Sequence, residues 1–241
     1  MTAPRAILFD LGDTLLRQES FHPEAWADAL AALAGHPEGF SAPRVRELAR
    51  GLVREFRRPS KAGPVEVRME ACLRHLHERL GVTLALGPAG VEMAFWQATS
   101  RMAPEPGIGP LLDDLAARGL PLGVVSNSMF RAEVLRWELA RHGLAAPFRF
   151  VMSSADYGLR KPHPSLFVTA LARLGREAGE VWFVGDSFAN DVLGAAGVRM
   201  VPLWYNPDGL APPADAEGGG PAREFRHWDE FLAGLTELPS P

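Results

Sequence analysis

Four stretches of the chain put oxygen- or nitrogen-bearing side chains directly after a short apolar run. The first is Phe9-Asp10-Leu11-Gly12-Asp13-Thr14-Leu15. A carboxylate leaving such a run can attack an electrophile or bind a metal, although an Asp-Gly turn also simply ends many strands. The second, Val125-Ser126-Asn127-Ser128, offers a hydroxyl and a side-chain amide that can hydrogen-bond an anionic group; the same residues serve as a helix N-cap. The third is Leu159-Arg160-Lys161-Pro162-His163-Pro164. Of the 25 basic residues only Lys61 and Lys161 are lysine, so a lysine here calls for a reason. A compact ammonium can neutralise a carboxylate and an incoming anion together, where a planar guanidinium fits poorly; the alternative is a solvated lysine before a helix start. His163 reads as a turn residue. The fourth, Val184-Gly185-Asp186-Ser187-Phe188-Ala189-Asn190-Asp191, sets two carboxylates around a turn into a helix. Mg²⁺ takes oxygen ligands of this kind, one or two carboxylates with waters and substrate oxygens, and an acidic first helical turn is the plainer explanation.

These groups need a scaffold that brings strand ends together. Apolar runs at residues 6–9, 122–125, 150–152, 181–184 and 198–203 read as buried strands. Helical patterns at 109–118, 131–142, 165–174 and 190–196 alternate with them, which predicts an α/β fold with a doubly wound parallel sheet covered on both faces. Ligands bind such sheets at the carboxyl ends of the strands, where the strand order reverses. About 110 residues separate the first two strands, far more than one crossover helix needs. The stretch is helical in pattern at 23–34, 42–57, 65–80 and 88–100, with breaks at 35–39, 59–63 and 81–87. We therefore expect an inserted four-helix cap over 17–101 and a core built from 1–16 and 102–241. Residues 207–221, rich in Gly, Pro and Ala, read as a loop, and 225–235 as a last strand or helix on the core.

With 241 residues, 47% of them hydrophobic and 22% charged, the chain can bury an ordinary core. A net charge of −4 and the lack of a long Lys/Arg block argue against a nucleic-acid partner and for small molecules. The single cysteine, Cys72, reads as a buried apolar thiol in a reducing, cytoplasmic setting. Neither a signal segment nor a membrane-spanning run is expected, and a soluble monomer or homodimer fits.

The ordered set of Asp10 after the first strand, Ser126-Asn127 after the second, Lys161-Pro162 before a helix and Gly185-Asp186 with Asp191 resembles the haloacid dehalogenase superfamily. The resemblance covers residues 4–16 and 104–205, while the cap matches in position and helical character. It implies a hydrolase of the phosphatase branch that uses Mg²⁺ and acts on a small phosphorylated substrate. Asp10 is then the nucleophile, and Asp10, the Gly12 backbone carbonyl and Asp186 are the metal contacts, with Asp191 supporting the ion. Ser126 and Asn127 hold the transferring group, and Lys161 balances charge.

One position departs from the pattern. Phosphatases of this superfamily carry a second Asp two residues after the nucleophile, where this chain has Gly12. Either the glycine turn lets Asp13 serve as acid and base, or no such group is present and the protein is slow or only binds ligands. The dehalogenase branch also lacks the second Asp, but it uses no metal, whereas Asp186 and Asp191 favour magnesium. For specificity, the expected contacts are Arg17, His22 and Trp26 near the hinge and first cap helix. The basic set Arg54, Arg57, Arg58 and Lys61 either meets a second anionic group on the substrate or forms a solvated helix face.

Overall fold

In a computed structural model, which describes residues 3–34, 41–213 and 223–236, the chain alternates strands and helices around one parallel sheet. It opens with β1 (Ala6–Phe9) and β2 (Leu16–Phe21), followed by four helices: α1 (Trp26–Ala34), α2 (Ala42–Ala62), α3 (Met69–Leu80) and α4 (Pro88–Thr99). Strand β3 (Ser100–Pro104) returns the chain to α5 (Ile108–Ala117), β4 (Leu122–Ser126), α6 (Ala132–Arg141) and β5 (Phe148–Ser153). Then come the single turn α7 (Ser154–Tyr157), α8 (Pro164–Leu174), β6 (Val181–Gly185), α9 (Leu193–Gly197), β7 (Val201–Tyr205), β8 (Arg223–Phe225) and α10 (Trp228–Thr236).

Six strands lie in the order β5-β4-β1-β6-β7-β8, all parallel. The sheet is covered on both faces, as near-continuous apolar strands require. Ile7 and Phe9 join one core with Leu111, Leu115, Leu135 and Trp228, whereas Ala6 and Leu8 point the other way, into a core with Leu166, Phe167 and Ala195. The alternation follows from the period of two along a strand. Because β4 and β6 flank β1 on opposite sides, the order reverses at β1, and a crevice opens at its carboxyl end.

Strands β2 and β3 pair antiparallel outside this sheet and carry the chain to and from the four helices. Sequence patterning does not reveal them, because Leu16-Arg17-Gln18-Glu19-Ser20-Phe21 lacks an apolar run and is half exposed. Helices α1 to α4 close on one another around Trp26, Leu30, Val45, Leu73 and Phe95. Several boundaries shift from expectation, and α2 runs on to Ala62 through the break expected at 59–63. Helix α3 begins at Met69 rather than at 65, since Val65 bridges Leu159 in extended form and Arg68 holds ψ at 141°. Strand β7 begins at Val201 rather than at 198, because Arg199 takes a left-handed φ of 66° that ends α9. Cys72 is buried as expected, and burial pushes its thiol up to about 12. The expected break at 35–39 and part of the loop at 207–221 lie outside the described residues. Among the described residues no helix is long and apolar enough to cross a membrane.

Candidate active site

The four sequence stretches converge at the crevice. Asp10 follows β1, with its backbone N–H donating to the Val184 carbonyl of the neighbouring strand at 2.8 Å. Ser126 ends β4, Asp186 follows β6, and Asp191 sits at the end of the π-helical turn Phe188–Val192 that precedes α9. One carboxylate oxygen from each of Asp10, Asp186 and Asp191 lies within 4.8 Å of the others.

Lys161 is 2% exposed, so the solvated-lysine explanation fails. Its Nζ donates to Asp10 Oδ1 at 2.7 Å and stands 2.7 Å from Asp191 Oδ1, above the ring of Phe183. Burial disfavours the ammonium, but the charges of Asp10 and Asp191 outweigh it and raise the Lys161 pKa. Ser126-Asn127 is not a helix cap either, since α6 starts five residues later behind Arg131. Asn127 instead clamps the loop carrying Lys161: its side-chain amide donates to the Lys161 carbonyl at 2.9 Å, and its oxygen accepts from the Lys161 N–H at 2.8 Å. Both contacts go to backbone, so this side chain fixes the ammonium's position.

The acidic side of the site is supported by residues that sequence patterning missed. Thr14, fully buried, accepts from the Asp186 N–H at 3.1 Å and donates to Asp186 Oδ1 at 3.3 Å. The Trp204 indole donates to the Asp186 carbonyl at 2.8 Å, and the Ser187 N–H donates to Asp191 Oδ2 at 3.0 Å. Gly185 is required by this packing, because a Cβ there would meet Asp191 Oδ2 at 2.3 Å. Thr14 directly follows Asp10-Leu11-Gly12-Asp13, which is the one signal that could have exposed it. Trp204 is distant in sequence and gave none.

Burial, followed by the charges of Asp10 and Asp191, pushes Asp186 up to about 8. Burial also pushes Asp191 up to about 6, against the pull of Lys161. Three carboxylates therefore share one ammonium, and the set keeps excess negative charge. Such an all-oxygen cluster fits a hard divalent cation, which would offset that charge.

Gly12 leaves open space: a Cβ there would meet nothing within 4 Å. Asp13 adopts a left-handed φ of 55°, and among the described residues its carboxylate accepts just a long 3.4 Å contact from the Gln18 N–H. Two adjoining cavities share Gly12, Asp13, Ser126 and Asn127. The smaller holds Asp10, Lys161 and Asp191, and the larger, about 190 Å³, runs between the sheet crevice and helices α2 to α4. The residues expected to read the substrate are replaced by others. Trp26 is fully buried with its indole on His77 at 3.2 Å, His22 faces Glu24 outside, and Arg17 leans toward Glu105 at 3.9 Å. Gln18, Phe21, Arg57 and Trp96 line the larger cavity instead. Of the basic set, Arg57 borders this cavity and Arg54 and Arg58 do not, while the Lys61 side chain lies outside the described residues.

The segment between α2 and α3 is pinned to the core beside this site. Buried Glu66 pairs with Arg160 and accepts from the Ser154 hydroxyl at 2.6 Å, and its N–H donates to the Gly158 carbonyl at 2.9 Å. Arg131, at the start of α6, pairs with Glu70 and, at 3.2 Å, with Glu92.

Comparison with known proteins agrees with this geometry. Residues 4–199 match the family model for haloacid dehalogenase-like hydrolases. A phosphoserine phosphatase from Thermus thermophilus is 31% identical over 95% of this chain and 91% of its own length. A glyceraldehyde 3-phosphate phosphatase from Methanopyrus kandleri is 28% identical over 82% of each chain. Among solved structures, a 2-haloacid dehalogenase from Pseudomonas syringae pv. Tomato superposes with a TM-score of 0.65 at 27% identity, over 98% of this chain and 99% of the other.

Proposed function

This chain belongs to the haloacid dehalogenase-like hydrolase family, and from that premise we propose that it hydrolyses a small phosphoric monoester with the help of Mg²⁺. The observation that carries the reading is the trio of buried Asp10 and Asp191 with half-buried Asp186, gathered around the ammonium of Lys161. A site built to release halide needs no divalent cation, and three carboxylates would burden it. The phosphatase relatives support the same choice.

In this reading Asp10 Oδ attacks phosphorus, the bond from phosphorus to the ester oxygen breaks, and an aspartyl-phosphate forms. Water then attacks that phosphorus, so one ester and one water give one alcohol and one phosphate. Asp10, Asp186 and the Gly12 carbonyl would hold the metal, which when bound supplies charge neutralisation between nucleophile and substrate. Lys161 holds Asp10 in place and offsets its charge, and Ser126 binds a phosphoryl oxygen. Asp13 borders both cavities with only a weak contact to give up, so it is assigned proton transfer to the leaving oxygen and from water. Helices α1 to α4 serve as a cap that excludes water from the crevice.

Gly12 favours a second reading, C–X hydrolysis, because that chemistry requires no acid at this position, and a dehalogenase is among the structural neighbours. Hydrolysis of p-nitrophenyl phosphate and of 2-chloropropionate, each with Mg²⁺ and with EDTA, separates the two. Phosphate release that EDTA abolishes supports the first, and chloride release that persists in EDTA replaces it with the second.

A further inference from the structure

The larger cavity differs in chemistry from the phosphate end. Beyond Gly12 and Asp13 its apolar walls include Phe21, Trp96 and Phe130 together with the thioethers of Met69, Met102 and Met129. All but Phe21 are buried, so this surface is built and not incidental. Phe130 packs on Trp96 with ring centroids 4.7 Å apart, and Phe21 meets Phe130 edge-on at 6.3 Å. Gln18, Ser126, Asn127 and Ser128 also line the cavity, but the apolar walls themselves offer a hydroxyl-rich leaving group no partners. An aromatic ring suits them, and a volume of about 190 Å³ holds one, since apolar cavities of about 150 Å³ bind benzene.

Two cations reach the same cavity, and they differ. Arg160 is committed to the buried carboxylate of Glu66. Arg57 lies 5.8 Å from the centroid of the Phe21 ring and, among the described residues, has no carboxylate partner. Along α2, Arg46 pairs with Asp28 and Arg50 with Glu24, while Arg44, Arg54 and Arg58, like Arg57, have no carboxylate partner among the described residues; of these four, Arg57 lines this cavity. Phe21 and Arg57 also border an outer groove that carries Arg50, Arg54 and Arg58, a basic approach to the cavity mouth.

We propose, resting on the phosphatase reading above, that the substrate is a phosphate monoester whose leaving group has an aromatic body seated among Phe21, Trp96 and Phe130 and a second anionic group paired with Arg57. Arg57 is then a specificity-determining residue of the cap.

The test measures calorimetric binding, in Mg²⁺ buffer, of four non-hydrolysable probes: methylphosphonate, benzylphosphonate, and the 3- and 4-isomers of carboxybenzylphosphonate. Benzylphosphonate is expected to bind about 10-fold or more tighter than methylphosphonate. One carboxy isomer is expected to gain about 5-fold further at low ionic strength. Arg57→Gln should erase that second gain, while Arg44→Gln, on the same helix but away from the cavity, should keep it. Equal binding of methyl- and benzylphosphonate, or a carboxylate gain that survives Arg57→Gln or never appears, overturns the proposal. Turnover is read separately with benzyl phosphate and glycerol 3-phosphate. If the binding pattern holds and neither ester is hydrolysed, the phosphatase reading fails and the assignment of the cavity stands.

Discussion

Lys161 Nζ lies 2.7 Å from an oxygen of Asp10 and 2.7 Å from an oxygen of Asp191, so one buried ammonium ties the two carboxylates together. Removing it leaves three close carboxylates without a protein counter-charge. Lys161→Met is expected to cost about 3–5 kcal/mol of stability in EDTA, the usual cost of breaking a buried pair. Added Mg²⁺ should recover part of that loss, and phosphatase turnover should fall by about 10²-fold or more. Chemical denaturation with and without the metal checks the first effect, and steady-state kinetics the second.

The open space at Gly12 makes a direct test of the missing acid possible, because a Cβ there would meet nothing within 4 Å. Asp13→Asn is expected to lower kcat for an alkyl phosphate by about 10²-fold and to spare the first-turnover release of p-nitrophenol from p-nitrophenyl phosphate, whose leaving group needs no proton, while the later attack of water slows for both esters. Adding Gly12→Asp to that variant should restore alkyl phosphate turnover. Rates for the two substrates across the three proteins decide it.

The Thr14 hydroxyl and the Trp204 indole both grip Asp186, one at its N–H and carboxylate, the other at its carbonyl. Asp186→Asn should therefore fold, because the backbone contacts survive. It should lose most of the rise in thermal midpoint that Mg²⁺ gives the natural protein, an effect that scales as RT ln(1 + [Mg²⁺]/Kd). Midpoints measured over a magnesium titration give the comparison.

Glu92 sets an expected pH dependence of stability. Burial pushes its carboxyl up to about 7, although the Arg131 backbone N–H at 3.1 Å and guanidinium oppose the shift, and the charges of Glu70 and Asp156 add to it. A carboxyl raised in the folded state binds its proton more tightly there than in the unfolded chain. Its contribution is thus full below about pH 4.5 and is lost as pH rises to about 7, a change of up to ~3 kcal/mol. Glu92→Gln should flatten that part of the stability curve, as read by denaturant midpoints at each pH.

Much of the site could be read from the sequence for a physical reason. Asp10, Ser126 and Asp186 each follow a fully buried apolar strand, and a parallel sheet gathers the carboxyl ends of its strands at one edge. Lys161 stood out because the chain writes nearly every other cation as arginine. What the sequence concealed depends on pairing across long separations. Glu66 and Arg160 are 94 residues apart, and Thr14 and Asp186 are 172 apart. Phe21 and Arg57 meet at the cavity only because β2 turns back along β3, and β2 carries no periodic signal. Trp26 misled for a related reason, since an indole on α1 fits a binding wall as well as a core, and packing against Phe95 and His77 placed it in the core.

The most direct measurement is rapid acid quench of the magnesium-loaded protein turning over a phosphate ester, followed by mass mapping of the peptide that contains Asp10. Phosphoryl transfer to Asp10 predicts a transient mass increase of one phosphoryl group on that peptide, absent with EDTA and absent in Asp10→Asn. Turnover with no label on this peptide at any quench time, or undiminished turnover in Asp10→Asn, would contradict a covalent role for this carboxylate.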